Sequence, residues 1–512
     1  MRITGRIGTE GRLIIDQSFE TVVSRAPLWA VLVSALAVIP LILLRRRPNL
    51  REAVSLLAGV VKLLLVLSML PTVLAGKVIE FTLFPAVAGV PIQFRIDGLG
   101  MLFALVASSL WILTTLYAIG YMRGLEERAQ TRFYSFFALS LSATLGVAFA
   151  GNLLTLYIFY ELLSLATYPL VTHHQNKKAR SGGRKYLLYL LGTSVGFALP
   201  AMLYTYHVSG GLLTFSATGV LAGNTAGFEA AVLLLLFVFG FSKAGIMPFH
   251  SWLPGAMVAP TPVSALLHAV AVVKVGVFCI LRVITGVFGI AFLKAENLGL
   301  LVSYIAAFTV ITASLIALSQ DNLKRRLAFS TIGQLSYIVL GASLLTAEAL
   351  TGSMLHIAMH AYGKITLFFC AGAIYVATGK KNISEMAGIG WRMPVTMLAF
   401  LAGAMSVIGL PPTGGFISKW YLVLGAVEGE RFFPLAIYLI SSLLNAAYFL
   451  PIVYQAFFCR EQDALFQPKW AEAPRFCLIP LGLTALVSVL LFFQHDFLVI
   501  LVKGIAGALD GV

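Results

Sequence analysis

The sequence predicts an all-α polytopic membrane protein of about fourteen transmembrane helices, with two inverted five-helix repeats and with helices seven and twelve broken. Three observations carry this expectation. Hydrophobic residues fill 59% of the 512 positions and charged residues 11%, with 46 glycines, a balance unsuited to a water-soluble core. Apolar windows of about 20 residues, enough for a helix to cross about 30 Å of hydrocarbon, recur from Leu28 to near the C-terminus. Two of these windows are interrupted by glycine and proline. The interruptions correspond if helices four to eight and nine to thirteen are repeats, and an odd number of crossings forces the second copy to run inverted.

Taken in order, residues 1–26 read as an exposed N-terminal arm, since Arg2, Arg6, Glu10, Arg12 and Asp16 break up any signal-peptide core. The segment 27–125 holds helices one to three, at 27–44, 52–74 and 98–119, with Asp97 placed to cap the third. Repeat one, 126–290, takes the windows 133–150, 153–172, 186–207, 229–248 and 259–284. Repeat two, 291–462, takes 298–318, 325–346, 352–377, 394–425 and 433–458. The remainder, 463–512, is a loop, a fourteenth helix at 475–495 and a tail.

The net charge of +15 follows topology and does not form a nucleic-acid surface. Alternate loops carry Arg45, Arg46, Arg47 and Arg51, then Arg123, Arg128 and Arg132, then Lys177, Lys178, Arg180, Arg184 and Lys185. Further on come Lys324, Arg325 and Arg326, then Lys380, Lys381 and Arg392, then Arg460, Lys469 and Arg475. By the positive-inside rule these loops face the cytoplasm of a bacterial-type inner membrane, which puts both termini outside. Cys279, Cys370, Cys459 and Cys477 have no metal-ligand or redox spacing, and no nucleotide-binding glycine loop or haem motif is present. No cofactor and no redox chemistry are therefore expected in this chain.

Five lysines, Lys62, Lys243, Lys274, Lys364 and Lys419, and one carboxylate, Glu161, fall inside the apolar windows. Each charge at that depth costs from about 2.5 kcal/mol upward, so several together mark an ion or proton path. The first break runs from Met247 through Pro248 to Pro254, the second from Gly409 through Pro411 and Pro412 to Phe416, and each broken helix carries a lysine, Lys243 and Lys419. His250, His268 and Lys274 lie in the same pair of helices as Lys243. Histidine can hold either charge state near pH 7, which suits a relay, although a lone buried histidine is more often a satisfied core residue. His356, His360 and Lys364 follow at intervals of four along one helix face. The histidine spacing also suits a metal, but no further ligand clusters with it, and a hydrated helix face is the plainer alternative. Lys62 lies outside both repeats, where it could snorkel, bind a lipid headgroup or meet a neighbouring subunit.

The run FSKAGIMPFHSWLPGAMVAPTPVSALLHAVAVVKVGVF, with DNLKRRLAFSTIGQLSY and GLPPTGGFISKW, resembles the antiporter-like proton-translocating subunits of respiratory complex I, Mrp-type sodium/proton antiporters and membrane-bound hydrogenases. The similarity covers about residues 95–460. The segment NLLTLYIFYELLSLATYPLV also resembles that family, in which its glutamate pairs with the lysine of broken helix seven, here Glu161 and Lys243. The resemblance implies a hydrated row along the membrane plane made of Glu161, Lys243, Lys274 and Lys419, with His268 and Lys364 as weaker candidates, and the residues themselves add His250, His356 and His360 as possible relay members. It implies other membrane subunits as partners, with protons carried and sodium open.

A carboxylate about 4 Å from Lys243 would hold its ammonium by roughly 4 kcal/mol at an effective dielectric near 20. Parting the pair would then send the proton toward Lys274. Two positions depart from the family: Gly255 stands where an acid is common, and Lys419 where one complex I type has glutamate. The chain stops about 17 residues after His495 with no lateral helix, which favours an Mrp D-like subunit. A pumping subunit of a complex I-like oxidoreductase or hydrogenase is the alternative. A scaffold or energy-coupling partner of an inorganic-carbon uptake complex is the third.

Overall fold

The computed structural model describes residues 2–7, 13–18, 20–87, 89–266, 271–459 and 470–506. Ten helices in it are long and apolar enough to cross a membrane, and ten of the fourteen expected windows fall on them. The other four depart from a single apolar rod for legible reasons. Gln130–Ala148 is long enough, but Gln130, Arg132 and its serines and threonines make it less apolar. Gly227–Gly240 is short because the chain leaves the helix at Phe241. Residues 261–288 form Thr261–Ala265, Val272–Arg282 and a π-helical turn, Val283–Phe288. The last, 394–428, is split into Pro394–Ile408 and Gly414–Glu428 around Gly409, whose φ of 90° an L side chain rarely adopts.

Strands accompany the helices at one end. Thr21–Val23 runs parallel to Val78–Val87, which pairs antiparallel with Val90–Ile96, and Arg2–Ile7 pairs with Leu13–Ser18 where an exposed arm was expected. The sequence holds a sign of this: Val90, Ile92, Phe94 and Ile96 alternate with Pro91, Gln93 and Arg95, and the first set is buried. A further helix, Asp496–Ala506, follows the last long apolar one. It lies against Gly98, where a β-carbon would stand 1.8 Å from the Leu501 carbonyl oxygen.

The centre of the molecule is Ala347–Thr378, a helix of 32 residues buried almost throughout. Leu323–Leu344, Gly414–Glu428, Pro394–Ile408, Arg475–Phe493 and Gly98–Gly124 pack around it. Surrounded by protein on every side, it can carry polar side chains without presenting them to lipid. Its histidines and lysine occupy that position.

Candidate functional site

Lys243 stands within the first break, where the helix was expected to continue. Gly227–Gly240 ends, Ser242–Ala244 makes one 3-10 turn, and Gly245 at φ 72° redirects the chain. The Lys243 Nζ donates to the Tyr160 carbonyl oxygen at 2.8 Å and to Ser164 Oγ at 2.7 Å, and it lies 3.0 Å from the Tyr160 ring centroid. Tyr160 and Ser164 are four residues apart and share one face of Leu153–Val171, whereas Glu161 is turned about 100° away. Glu161 makes no ion pair with Lys243 within 4.0 Å, and both its carboxylate oxygens are enclosed without a hydrogen-bond partner among the described residues. The expected close pair is thus replaced by an amine held on the backbone and a serine, with the carboxylate one helix position aside.

Lys274 is brought beside that break by a close approach of two backbones. Val272–Arg282 packs on Ser242–Ala244 at Gly276, where a β-carbon would stand 2.0 Å from the Ala244 nitrogen. Only glycine fits there. The Lys274 Nζ lies 2.5 Å from His360 Nδ1. An ammonium can donate there only if His360 is neutral with its hydrogen on Nε2, and that Nε2 is enclosed and has no hydrogen-bond partner among the described residues.

From His360 the row continues along the central helix. The His360 and His356 rings stack with centroids 5.6 Å apart and planes 7° apart. The His356 Nε2 lies 3.1 Å from Gln334 Oε1 and its Nδ1 2.8 Å from Ser418 Oγ, so with Gln334 accepting, neutral His356 accepts in turn from the Ser418 hydroxyl. Ser418 is next in sequence to Lys419. The Lys419 Nζ donates to the Ile408 carbonyl oxygen at 2.9 Å and to Ser442 Oγ at 3.2 Å, and lies 4.6 Å from the Tyr337 ring, itself stacked on His356. Ile408 ends the first half-helix, so the lysine satisfies a carbonyl that the break leaves free, at the negative end of that dipole. Gly409 makes room for it: a β-carbon there would stand 2.6 Å from Lys419 Cδ.

The remaining candidates separate. Lys364 donates to Ser330 Oγ at 2.7 Å, and Ser330 also accepts from Tyr448 at 2.9 Å. Two steps of four residues drift about 80° around a helix, which turns Lys364 away from the His356–His360 stack. His250 is half-buried, its Nδ1 has no hydrogen-bond partner among the described residues, and it joins no hydrogen bond of Lys243. His268 lies outside the described residues. Lys62 does not snorkel: it is fully buried, donating to the Leu141 carbonyl oxygen at 3.0 Å, with the Trp111 ring 5.0 Å away. Among the described residues no three His, Cys, Asp or Glu side chains could hold a metal ion. Sequence reasoning missed Ser164, Gln334, Tyr337 and Ser418 as partners, although all four lie inside the motifs that carry the resemblance.

At the helix ends that carry the basic loops, Tyr121, His174, Val258, Thr261, Lys324 and Lys381 help line a cavity of about 220 Å³. His174 Nε2 is 3.0 Å from Glu127. The hydrogen bond to that carboxylate raises the His174 pKa, while its partial burial and Lys324 work against the rise. Burial pushes the Glu127 carboxyl up, yet the bond and charge of His174, with His173, leave it lowered overall. The histidine contribution to stability is therefore complete below about pH 6.5 and is lost as pH rises through the raised value. The glutamate contribution is complete above about pH 4.3 and is lost as pH falls through the depressed value. Thermal unfolding of the assembly in detergent should be most resistant in the weakly acidic range. His174→Gln should flatten the alkaline limb, and an unchanged pH profile would contradict the pairing.

Fold and site together define a polytopic membrane protein with a buried row of amines and imidazoles between two broken helices. Residues 150–445 match the family model described as NADH:quinone oxidoreductase/Mrp antiporter, TM, and residues 86–134 match NADH-Ubiquinone oxidoreductase (complex I), chain 5 N-terminus. The chain belongs to this NADH:quinone oxidoreductase/Mrp antiporter membrane-subunit family. It is 37% identical over 371 residues to NADH-quinone oxidoreductase subunit N of Desulforudis audaxviator, covering 72% of this chain and 73% of that one. It is 33% identical over 453 residues to the Na(+)/H(+) antiporter A subunit of Alkalihalophilus pseudofirmus, covering 82% of this chain but 55% of that one. Against a probable K(+)/H(+) antiporter A/B subunit of Rhizobium meliloti the identity is 31%, over 83% of this chain and 43% of that one. The chain thus spans about half the length of these antiporter subunits. Its fold matches a chain of the Mrp complex from Dietzia sp. with a TM-score of 0.83 at 20% identity, covering 95% of this chain and 98% of that one. It also matches a chain of the membrane-bound sulfane sulfur reductase, an archaeal respiratory membrane complex, with a TM-score of 0.82 at 23% identity, over 96% and 100%.

Proposed function

We propose that this chain is the proton-translocating subunit of a multi-subunit membrane complex of the cation/proton antiporter kind. The observation that carries the reading is the Lys274–His360 contact in the middle of a buried row that runs from Lys243 to Lys419. Protons pass from Lys243 to Lys274, then by His360 and His356 to Lys419. Stacked rings do not hydrogen-bond to each other, so transfer between the two histidines goes through water or ring rotation. Glu161 acts as the control charge, acting through space on Lys243. His250, His268 and Lys364 flank the row. The halves 126–290 and 291–462 are the two inverted repeats, ahead of them is the segment 27–125, and both termini face outward; the basic loops support this orientation.

The similarity to subunit N over most of its length favours a second reading, a pumping subunit whose driving redox chemistry lies in other chains. Reconstituting the native assembly in liposomes with an internal pH dye separates the two. A sodium or potassium gradient alone is expected to move protons. Movement only on adding an electron donor and quinone would select the second reading, and movement under neither condition would reject both.

A further inference from the structure

We propose that a water-filled path, separate from the row above, links the basic-loop face of the molecule to the Lys62 ammonium and lets it exchange its proton with that solvent. The path lies between Pro48–Leu74, Gly98–Gly124 and Gln130–Ala148, ahead of the first repeat. Its outer end is a charge cluster. Glu52, 3% exposed, is bound by Arg123 and lies 3.5 Å from Arg51, and Arg51 in turn donates to Gln130 at 2.8 Å and Thr131 at 3.1 Å. The Arg123 side chain is 44% exposed, so the cluster meets solvent.

Helix register places one polar layer directly above this cluster. A β-carbon on Gly59 would touch Ile112 and the Trp111 ring, so in this antiparallel pair Ser55, one turn earlier, is level with Thr115. The contacts Arg51 to Gln130 and Lys62 to Leu141 share an offset of 79 residues between two helices running the same way, which sets Ser55 level with Tyr134 and Ser135. Ser55 Oγ, Thr115 Oγ1, Tyr134 OH and Ser135 Oγ are all enclosed and have no hydrogen-bond partner among the described residues, and above them neither has the Trp111 Nε1. An enclosed polar group without a partner is costly, and several facing each other in one layer are the setting in which buried water is held, with two to four polar partners each.

Lys62 forms the inner end. It lies seven residues beyond Ser55, about 10 Å along the helix, a span that about three hydrogen-bonded waters cover. Its ammonium has three hydrogens and, among the described residues, one protein acceptor, the Leu141 carbonyl oxygen, with the Trp111 ring beside it. The groups facing this path are therefore Arg51 and Glu52 from its own helix, Arg123 and Trp111 from the second, and Tyr134 and the Leu141 carbonyl from the third.

Radiolytic footprinting of the native assembly reads the path without reading transport, because radicals form on water and mark the side chains beside it. Trp111 and Tyr134 should be oxidised several-fold faster than Trp252 and Tyr117, which are as buried but have their polar atoms bound to Ser242 and Phe369. Combining Ser55→Ala with Thr115→Val should bring the rates at Trp111 and Tyr134 down several-fold. Equal rates for the four residues in the native assembly would overturn the proposal even if the double variant failed to assemble. A normally assembled double variant with undiminished labelling would overturn it too. Neither result bears on the Lys274–His360 row.

Discussion

Lys274→Met is expected to lower proton movement by the assembled complex by about a hundredfold or more, the scale at which a positioned proton donor acts. Methionine keeps the length and fills the apolar space around the stem, so packing against Ser242–Ala244 should survive. What it lacks is the nitrogen 2.5 Å from His360 Nδ1. Lys274 joins the first broken helix, through the Gly276 approach, to the histidines of the central helix. Its loss therefore interrupts the row at its middle. Dye-monitored proton flux in proteoliposomes, with subunit composition checked on the same preparation, measures this. Wild-type flux would remove Lys274 from the relay.

The second large effect is expected at the first break, where two variants should differ in kind. Lys243→Ala removes the amine itself, leaves the Tyr160 carbonyl and Ser164 without their donor, and should abolish most flux. Glu161→Gln removes only a charge acting from beyond 4 Å, where attraction at an effective dielectric near 20 falls below about 4 kcal/mol. Since about 1.4 kcal/mol shifts a protonation equilibrium tenfold, a slowing of about tenfold or more is expected there, with residual flux above that of Lys243→Ala. Initial rates on the same vesicles compare them. A Glu161→Gln rate equal to wild type would show that the carboxylate does not govern Lys243.

Much of this was readable from residues alone because the cost of charge in hydrocarbon makes each intramembrane lysine conspicuous, and because proline and glycine mark the places where a helix cannot continue. Lys243, Lys274 and Lys419 stood out that way. The pairing was not, since sequence spacing says which face a residue occupies on its own helix but not which helix lies opposite. Glu161 was expected to hold Lys243 and Ser164 does so, one turn along the same helix. His356 and His360 ranked behind the lysines because a histidine costs less to bury and so signals less, yet they bridge Lys274 to Ser418. For Lys62 the spacing in its own helix left a lipid headgroup or a neighbouring subunit open, and it could not place Thr115, Tyr134 and Ser135, on two other helices, level with Ser55. The strand Val90–Ile96 was hidden by the helical windows on either side, although its alternation was plain.

The central claim is that protons cross from Lys274 to Lys419 through the imidazoles, and His360→Phe tests it most directly. Phenylalanine keeps a flat ring to stack on His356 and fills nearly the same space, but offers Lys274 no nitrogen. The account predicts that the assembled His360→Phe complex in proteoliposomes retains its subunits and loses nearly all proton flux. Flux at the wild-type rate from that same assembled complex would contradict it.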